Sequence, residues 1–267
     1  FGQEHHFHRV ARRMGIRSVC LVKSWDNLTS KTRIRVHPDH IVVWSDLQKQ
    51  EAVDLHFFPE ERIHVAGAPN FDHYAKEEFR PTRGREAFLR SIGAEPDRKL
   101  VLYSPANKLT YSDEENIRML HRILEGGKTG CKCHLHIRKY PKAQKEYSHL
   151  LTLPNLSVED AGIVVKAWSD RVDQPFEEMR HLRELMMHTD VLVQIGSTIA
   201  LDAACFDKPI VAYFPPCRRP DVPWYDYMYR VRDFTHNRYL EDTGGVRVVC
   251  DEQEMTAVLT RYLQRPE

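Results

Sequence analysis

The sequence predicts an α/β fold built from parallel sheets with helices on both faces, and three observations lead to this fold class. Short apolar segments rich in Val and Ile alternate with longer amphipathic segments along almost the whole chain. Gly67-Ala68-Pro69 interrupts this alternation. Small or polar residues follow most of the strand-like segments, where parallel sheets place their ligand sites. We therefore expect two domains, over residues 1–75 and 76–267.

The first series of elements is short. Helical periodicity covers residues 2–14, strands are expected at 17–23, 40–44 and 62–66, and a helix is expected over 46–56. The opening residues read as the middle of an amphipathic helix, and three strands are too few for a full domain of this type. We therefore expect residues 1–75 to be the C-terminal part of a longer Rossmann-like domain.

The second series has the size of a complete Rossmann-like domain. Its expected strands are 99–104, 133–138, 156–158, 191–195 and 209–214, and its expected helices are 83–92, 113–125, 181–188, 197–206 and 252–263. In such sheets the ligand lies beyond the carboxyl ends of the strands. The loops that follow these strands therefore hold the candidate site.

Composition excludes several classes of protein. A formal net charge of +1 gives no global field for nucleic acid, and no apolar stretch approaches the length of a membrane span. The six cysteines are scattered, which favours reduced thiols in the cytoplasm. The segment Cys131–His136 resembles a metal tract, but alternation along a strand separates its cysteines from its histidines. We expect a half-buried strand there and no metal site.

The turn Gly196-Ser197-Thr198 lies in the segment VLVQIGSTIALDAACFDKPIVAYFP. Glycine permits a sharp turn and close approach of a ligand. The following helix would offer free N–H groups to a diphosphate, while Ser197 and Thr198 add hydroxyls or cap the helix. Asp202, one turn further along, is placed to accept hydrogen bonds from a ribose. The alternative is an ordinary capped helix followed by a solvated acid.

Two other loops of the second series carry candidate donor-binding residues. Ser104 and Lys108 follow its first strand, and Arg138 and Lys139 follow its second. Arginine offers a planar fork to phosphate oxygens, and lysine offers a point charge. The alternative for Lys108 is a solvated loop lysine.

The first series supplies candidate acceptor-side residues. Asp26 follows the first clear strand and is our candidate general base, with Trp25 and Asn27 positioning the sugar or the acceptor. The alternative is an Asx-type turn at Asp26-Asn27. His8 lies on the first helix and either lines the cleft or belongs to a solvated helix face.

Residues 218–232 are rich in Arg, Tyr and Trp. Three interpretations fit this composition: stacking on a base or sugar, docking on an anionic lipid surface, or packing against the neighbouring domain. The second would place the protein at the inner face of the cell membrane.

Longer segments resemble known families. IGSTIALDAACFDKPIVAYF is similar to the donor-site segment of nucleotide-sugar enzymes with the two-domain glycosyltransferase fold called GT-B. RIHVAGAPNFDHY resembles the end of the N-terminal domain in UDP-N-acetylglucosamine 2-epimerases. The stretch from SWDNLTSK to HVAGAP resembles bacterial surface-carbohydrate biosynthesis proteins, above all glycosyltransferases and CDP-glycerol glycerophosphotransferases of capsule and teichoic-acid assembly.

The resemblance implies a GT-B transferase. It would move a sugar or glycerophosphate from a UDP- or CDP-linked donor to a glycan or lipid-linked acceptor of the cell surface. The resemblance also implies no required cofactor, since helix dipole and basic side chains can stabilise the leaving diphosphate. One departure stands out, because the Arg-Pro-His-Pro element of glycerophosphotransferases reads Arg138-Lys139-Tyr140-Pro141 here. A UDP-sugar 2-epimerase and a non-catalytic nucleotide-sugar-binding module remain the alternatives.

Overall fold

The computed structural model describes residues 4–105, 113–140, 146–164, 172–214 and 233–264. The chain divides into two compact units. Unit 1 comprises residues 1–72 together with 234–239, and unit 2 comprises residues 73–233 and 240–267. The predicted division lies three residues later, after residue 75, and the short segment 234–239 of unit 1 was not predicted.

Unit 1 holds a three-stranded parallel sheet. Its strands are β1 (Val19–Leu21), β2 (His40–Val43) and β3 (Ile63–Val65), in the order β1-β2-β3. Its helices within residues 4–72 are α1 (Glu4–Arg13), α2 (Asn27–Ser30) and α3 (Asp46–His56). The core packs β2 against α3 and the segments around them, with Ile41, Val43, Ala52 and Phe58 almost fully buried.

Unit 2 holds a six-stranded parallel sheet. Its strands are β4 (Lys99–Ser104), β5 (Cys133–Arg138), β6 (Leu156–Glu159), β9 (Val191–Gln194), β10 (Ile210–Tyr213) and β11 (Val246–Val249). A two-stranded antiparallel pair, β7 (Ile163–Val164) and β8 (Val172–Asp173), lies outside this sheet. The helices are α4 (Arg85–Ser91), α5 (Asp113–Glu125), α6 (Phe176–His188), α7 (Ile199–Ala204), α8 (Thr235–Asp242, which begins in unit 1) and α9 (Glu252–Gln264).

The strand order of the larger sheet fixes the position of a ligand site. The order is β11-β10-β9-β4-β5-β6, so the chain builds outward from β4 on one side and then returns to continue from β9 on the other. In doubly wound sheets the ligand crevice lies at this reversal, beyond the carboxyl ends of the two central strands. Ser104 of β4 pairs in register with Gln194 of β9. The carboxyl ends of β4 and β9 at these two residues therefore flank the expected crevice.

Most predicted elements are confirmed. Four have the predicted bounds: α3, β4, α5 and β5. Their signals are strong because β4 and β5 are almost wholly buried strands. Helix α5 buries residues at spacings of three and four. Helix α3 begins at the Ser45 cap, whose side chain accepts a hydrogen bond from Gln48 N, and ends at the left-handed Phe57.

Several elements differ from the prediction. Helix α7 is shorter than the expected 197–206, and Asp207 just beyond it has a left-handed φ of 51°. Helix α6 begins at Phe176 rather than 181, because Glu177 and Glu178 form a favourable polar first turn that lacks apolar periodicity. Helix α8, strand β11 and the β7–β8 pair were not predicted. Within the described ranges, no helix has the length and apolar character needed to cross a bilayer.

Candidate functional site

The turn after β9 has the backbone geometry that the sequence predicted. Gly196 adopts a left-handed φ of 56°, a conformation that other residues enter at a cost. The backbone N–H of Ser197 donates to Gln194 Oε1 at 2.6 Å, which holds the turn against the end of β9. Thr198 precedes helix α7 and makes no side-chain capping hydrogen bond, so of the two hydroxyls that could cap the helix, that of Thr198 does not. Thr198 is exposed at the turn.

Asp202 is partly buried one turn into α7. Its Oδ1 accepts a hydrogen bond from Tyr74 Oη at 2.7 Å. Burial raises the pKa of Asp202 to about 6, against the opposing effects of the Tyr74 hydrogen bond and the charge of Arg138. The acid is therefore not the solvated surface residue of the alternative interpretation. It changes its charge close to neutral pH.

Arg138 and Lys139 already have acidic partners. Arg138 is 4% exposed, and its terminal nitrogens donate to Glu159, at 2.5 Å, and to Glu178. Lys139 Nζ lies 2.5 Å from Asp160 Oδ1. The guanidinium group of Arg138 is thus bonded to two carboxylates. The positive charge of Arg138 acts to lower the pKa of Asp202, but its two terminal nitrogens are not open to a phosphate in this structure.

The remaining predicted residues of this site fall into two groups. Ser104 is buried at the end of β4, beside the strand-order reversal. Lys108 and residues 218–232 lie outside the described residues, and their predicted roles stay predictions.

A histidine pair explains the tract that resembled a metal site. His134 and His136 share one face of β5, and each places a ring nitrogen 2.7 Å from the hydroxyl of Ser157 on β6. His136 also lies 3.1 Å from Glu159. Across the part of the chain that the structure describes, no group of three or more His, Cys, Asp or Glu residues has an arrangement that could hold a metal ion.

In unit 1, the loop after β1 is fixed by a glutamine that sequence reasoning missed. Gln48 of α3 is 4% exposed. Its amide nitrogen donates to the backbone oxygens of Ser24 and Trp25, both at 3.3 Å, and its Oε1 accepts from Trp44 N at 2.8 Å. A polar residue on an amphipathic helix gives no signal of this role, because the role depends on the strand pairing.

Asp26 stands at the start of α2 among partners that favour its charged form. Ser30 Oγ donates to its carboxylate at 2.8 Å, and Lys31 Nζ lies 3.3 Å away. Burial acts to raise the pKa of Asp26, but hydrogen bonds from Ser24 and Ser30 and the charge of Lys31 bring it below the ordinary value. The carboxylate is therefore ionised at neutral pH and can accept a proton. The Asn27 side chain accepts from Ser24 N at 3.1 Å, three residues earlier in the chain, which is not the pattern of an Asx-type turn.

His236 joins the same loop from a distant part of the sequence. It is buried, and its ring contacts Trp25 edge-on with centroids 4.7 Å apart. Its Nδ1 lies 2.9 Å from Thr29 Oγ1, and that hydroxyl also donates to the backbone oxygen of Asp26 at 3.3 Å. The tautomer of His236 sets which of Nδ1 and the Thr29 hydroxyl donates in this contact. Burial lowers the pKa of His236 to about 4, so the ring is neutral.

His8 and Asn27 both line a cavity of about 580 Å³ in unit 1. The cavity lies between α1, β1, α2 and residues 31–38. Trp25 is not among its lining residues; it packs on His236 instead. The structure thus brings two of the three predicted acceptor-side residues to one cavity.

Comparisons with solved structures show the fold. The wall teichoic acid polymerase TagF superimposes with a TM-score of 0.50 at 16% identity, over 90% of this chain and 58% of TagF. The UDP-GlcNAc 2-epimerase from Neisseria meningitidis, solved with UDP-GlcNAc bound, gives 0.63 at 14% identity, over 98% and 66%. MnaA from S. aureus, solved with UDP, gives 0.62 at 10% identity, over 97% and 62%. The fold is therefore GT-B-like, and the chain spans about three fifths of the length of these structures.

Sequence comparison identifies the family. Among functionally curated proteins, none is a significant sequence match. Residues 8–267 match the family described as CDP-glycerol:poly(glycerophosphate) glycerophosphotransferase. This match covers almost the whole chain. The chain therefore belongs to the CDP-glycerol:poly(glycerophosphate) glycerophosphotransferase family.

Proposed function

We propose that this chain transfers a glycerophosphate group from a CDP-linked donor to a hydroxyl of a teichoic-acid-like surface polymer. The proposal also covers transfer of a sugar from a nucleotide-diphosphate donor to the same kind of acceptor. The observation that carries it is the strand-order reversal between β4 and β9, with the left-handed Gly196 turn beside it, in a chain of this family. A diphosphate suits the turn before a helix, because the first N–H groups of a helix have no partner within it, although the N–H of Ser197 already donates to Gln194 Oε1.

In this proposal unit 2 binds the donor. The diphosphate lies against the backbone of Gly196, Ser197 and Thr198, and Asp202 accepts hydrogen bonds from the ribose. Asp202 Oδ1 is already bonded to Tyr74, so Oδ2 is the oxygen left for the nucleotide. Arg138 contributes through its charge near Asp202 rather than by direct contact, because Glu159 and Glu178 engage its terminal nitrogens.

Unit 1 supplies the acceptor side. The acceptor hydroxyl attacks the phosphorus that carries glycerol, its proton passes to Asp26, and the bond to the CMP oxygen breaks so that CMP leaves. Asp26 is ionised and held by Ser30 and Lys31, so its carboxylate is free of a proton and fixed in position, while its lowered pKa makes it a weak base. His236 is a positioning residue, because it acts on Asp26 through Trp25 and Thr29.

A transfer assay tests the proposal. The purified protein is incubated with CDP-[14C]glycerol and a synthetic glycerophosphate primer, and primer extension and CMP release are measured. We expect both with wild type and at least a hundredfold loss with Asp26→Asn, within the range typical of a lost general base. Donor binding without primer-dependent CMP release would instead indicate a binding module, and epimerisation of UDP-GlcNAc would indicate an epimerase.

A further inference from the structure

The cavity in unit 1 carries more positive charge than its surroundings balance. Three cations line it, Lys23, Lys31 and Arg35, against the single acid Glu4. Lys31 pairs with Asp26 at 3.3 Å. Lys23 and Arg35 are exposed, and neither has an acidic partner among the described residues. Solvated cations that converge on a concave surface attract an anion.

The other side chains that line the cavity further restrict the kind of ligand that fits it. Leu21, Ile34, Val36 and Pro38 supply apolar surface, while Ser30 and Thr32 supply hydroxyls. A volume of about 580 Å³ suits a small ligand rather than a single inorganic ion. The lining therefore matches an anionic group carried on a short carbon skeleton with hydroxyls.

The cavity also adjoins the candidate base. Asn27 and Ser30 line it, and both contact the carboxylate of Asp26, at 3.4 Å and 2.8 Å. Lys31, a third lining residue, reaches the same carboxylate. A ligand whose anionic end lies at the cations would thus have its hydroxyls close to Asp26.

We propose that this cavity binds a phosphate ester of a polyol, the terminal glycerophosphate unit of the acceptor, with Lys23 and Arg35 contacting the phosphate. This inference rests on the proposed transferase function and adds the acceptor's binding site to it. The same phosphate chemistry occurs in lipid headgroups, and the experiment separates the two sources.

Calorimetric titration of glycerol 3-phosphate, with glycerol as the uncharged control ligand, tests the proposal. Wild type is compared with Lys23→Gln, Arg35→Gln and the matched control Arg33→Gln. Arg33 is also an exposed arginine of the same segment, but it lies over the Phe57 ring at 4.1 Å and does not line the cavity. We expect each cavity variant to weaken binding of glycerol 3-phosphate roughly tenfold, since one charge-assisted contact is lost. Arg33→Gln should change it less than twofold, and glycerol should bind weakly to all.

Two further measurements complete the test. CDP-glycerol binding is measured for every variant and should be unchanged, so failure of the donor site is distinguishable from failure of this cavity. Flotation with phosphatidylglycerol vesicles covers the lipid source. Equal affinity of wild type and both cavity variants for glycerol 3-phosphate would overturn the proposal. So would Lys23- and Arg35-dependent vesicle binding without binding of the soluble phosphate.

Discussion

The two units use their cations in opposite ways. In unit 2, Arg138 is 4% exposed and bonded to Glu159 and Glu178. In unit 1, Lys23 and Arg35 are exposed at an open cavity, without an acidic partner among the described residues. A buried charge must be paired because desolvation is costly, whereas a solvated charge remains available to a ligand. A basic residue after a strand is therefore not by itself a phosphate ligand, and its partners decide its role.

The largest expected effect comes from removing the buried cation Arg138, which is paired with two acids. Replacing Arg138 by Met leaves Glu159 and Glu178 without their shared partner, so we expect the free energy of unfolding to fall by about 3–5 kcal/mol. Lys139→Met is the matched control, because its partner Asp160 is 79% exposed, and it should cost less than about 1 kcal/mol. Urea unfolding followed by circular dichroism measures both. Similar losses for the two variants would show that Arg138 is not a structural cation.

The second prediction follows from the first. Because Arg138 and Lys139 are paired with acids, our proposal assigns the diphosphate to the backbone at Gly196. Gly196→Val should weaken CDP-glycerol binding more than tenfold and lower stability by roughly 1–3 kcal/mol, because a β-branched residue is strained at a φ of 56°.

Gly196→Asn separates the two effects. Asparagine tolerates the left-handed conformation, so this variant should keep most of its stability and still lose CDP-glycerol affinity through its side chain. Calorimetric titration and thermal unfolding report the two quantities separately. Wild-type affinity in both variants would exclude this turn as the diphosphate site.

The third prediction concerns Asp202, whose pKa is raised to about 6 from its ordinary value of 3.8. The ribose contact needs the carboxylate, so affinity for CDP-glycerol should rise as the pH increases through 6. Asp202→Asn should remove this dependence and weaken binding at pH 7.5 about tenfold, the loss of one charge-assisted contact. CDP-glycerol is the appropriate ligand because its esterified diphosphate does not titrate near pH 6. A parallel pH profile for the variant would argue against the role of Asp202.

The smallest expected effect concerns an acid of unit 1 that lacks a charged partner. Glu51 is 6% exposed, its Oε2 makes no hydrogen bond, and burial raises its pKa to about 7 from 4.5. Glu51 therefore keeps its proton to a higher pH in the folded state than in the unfolded state. As the pH rises from 4.5 to 7, the free energy of unfolding should fall by on the order of 1 kcal/mol or more. Glu51→Gln should flatten that slope in urea unfolding at several pH values, and an unchanged slope would contradict the assignment.

Local signals in the sequence accounted for much of the fold. Strands β4 and β5 have the predicted bounds because continuous burial produces a continuous apolar signal, and α5 because amphipathic burial produces a regular period. The Gly196 turn was predictable because its conformation is rare in residues with a side chain. Helix α8 was missed because a short polar helix depends on packing for its stability, and strand β11, with the sequence VRVV, was missed because four residues give only a short apolar signal.

The sequence by itself determined the α/β class, the alternation of elements and the loops that hold candidate chemistry, because each depends on residues that are neighbours along the chain. Only the tertiary structure decided which side chains meet. Tyr74 and Asp202 are 128 residues apart, and Thr29 and His236 are 207 apart. Glu159 reaches Arg138 because β5 and β6 pair in one particular register. Strand order and register arise from the packing of the whole sheet, so no local pattern encodes whether a cation is buried with an acid or left open to a ligand.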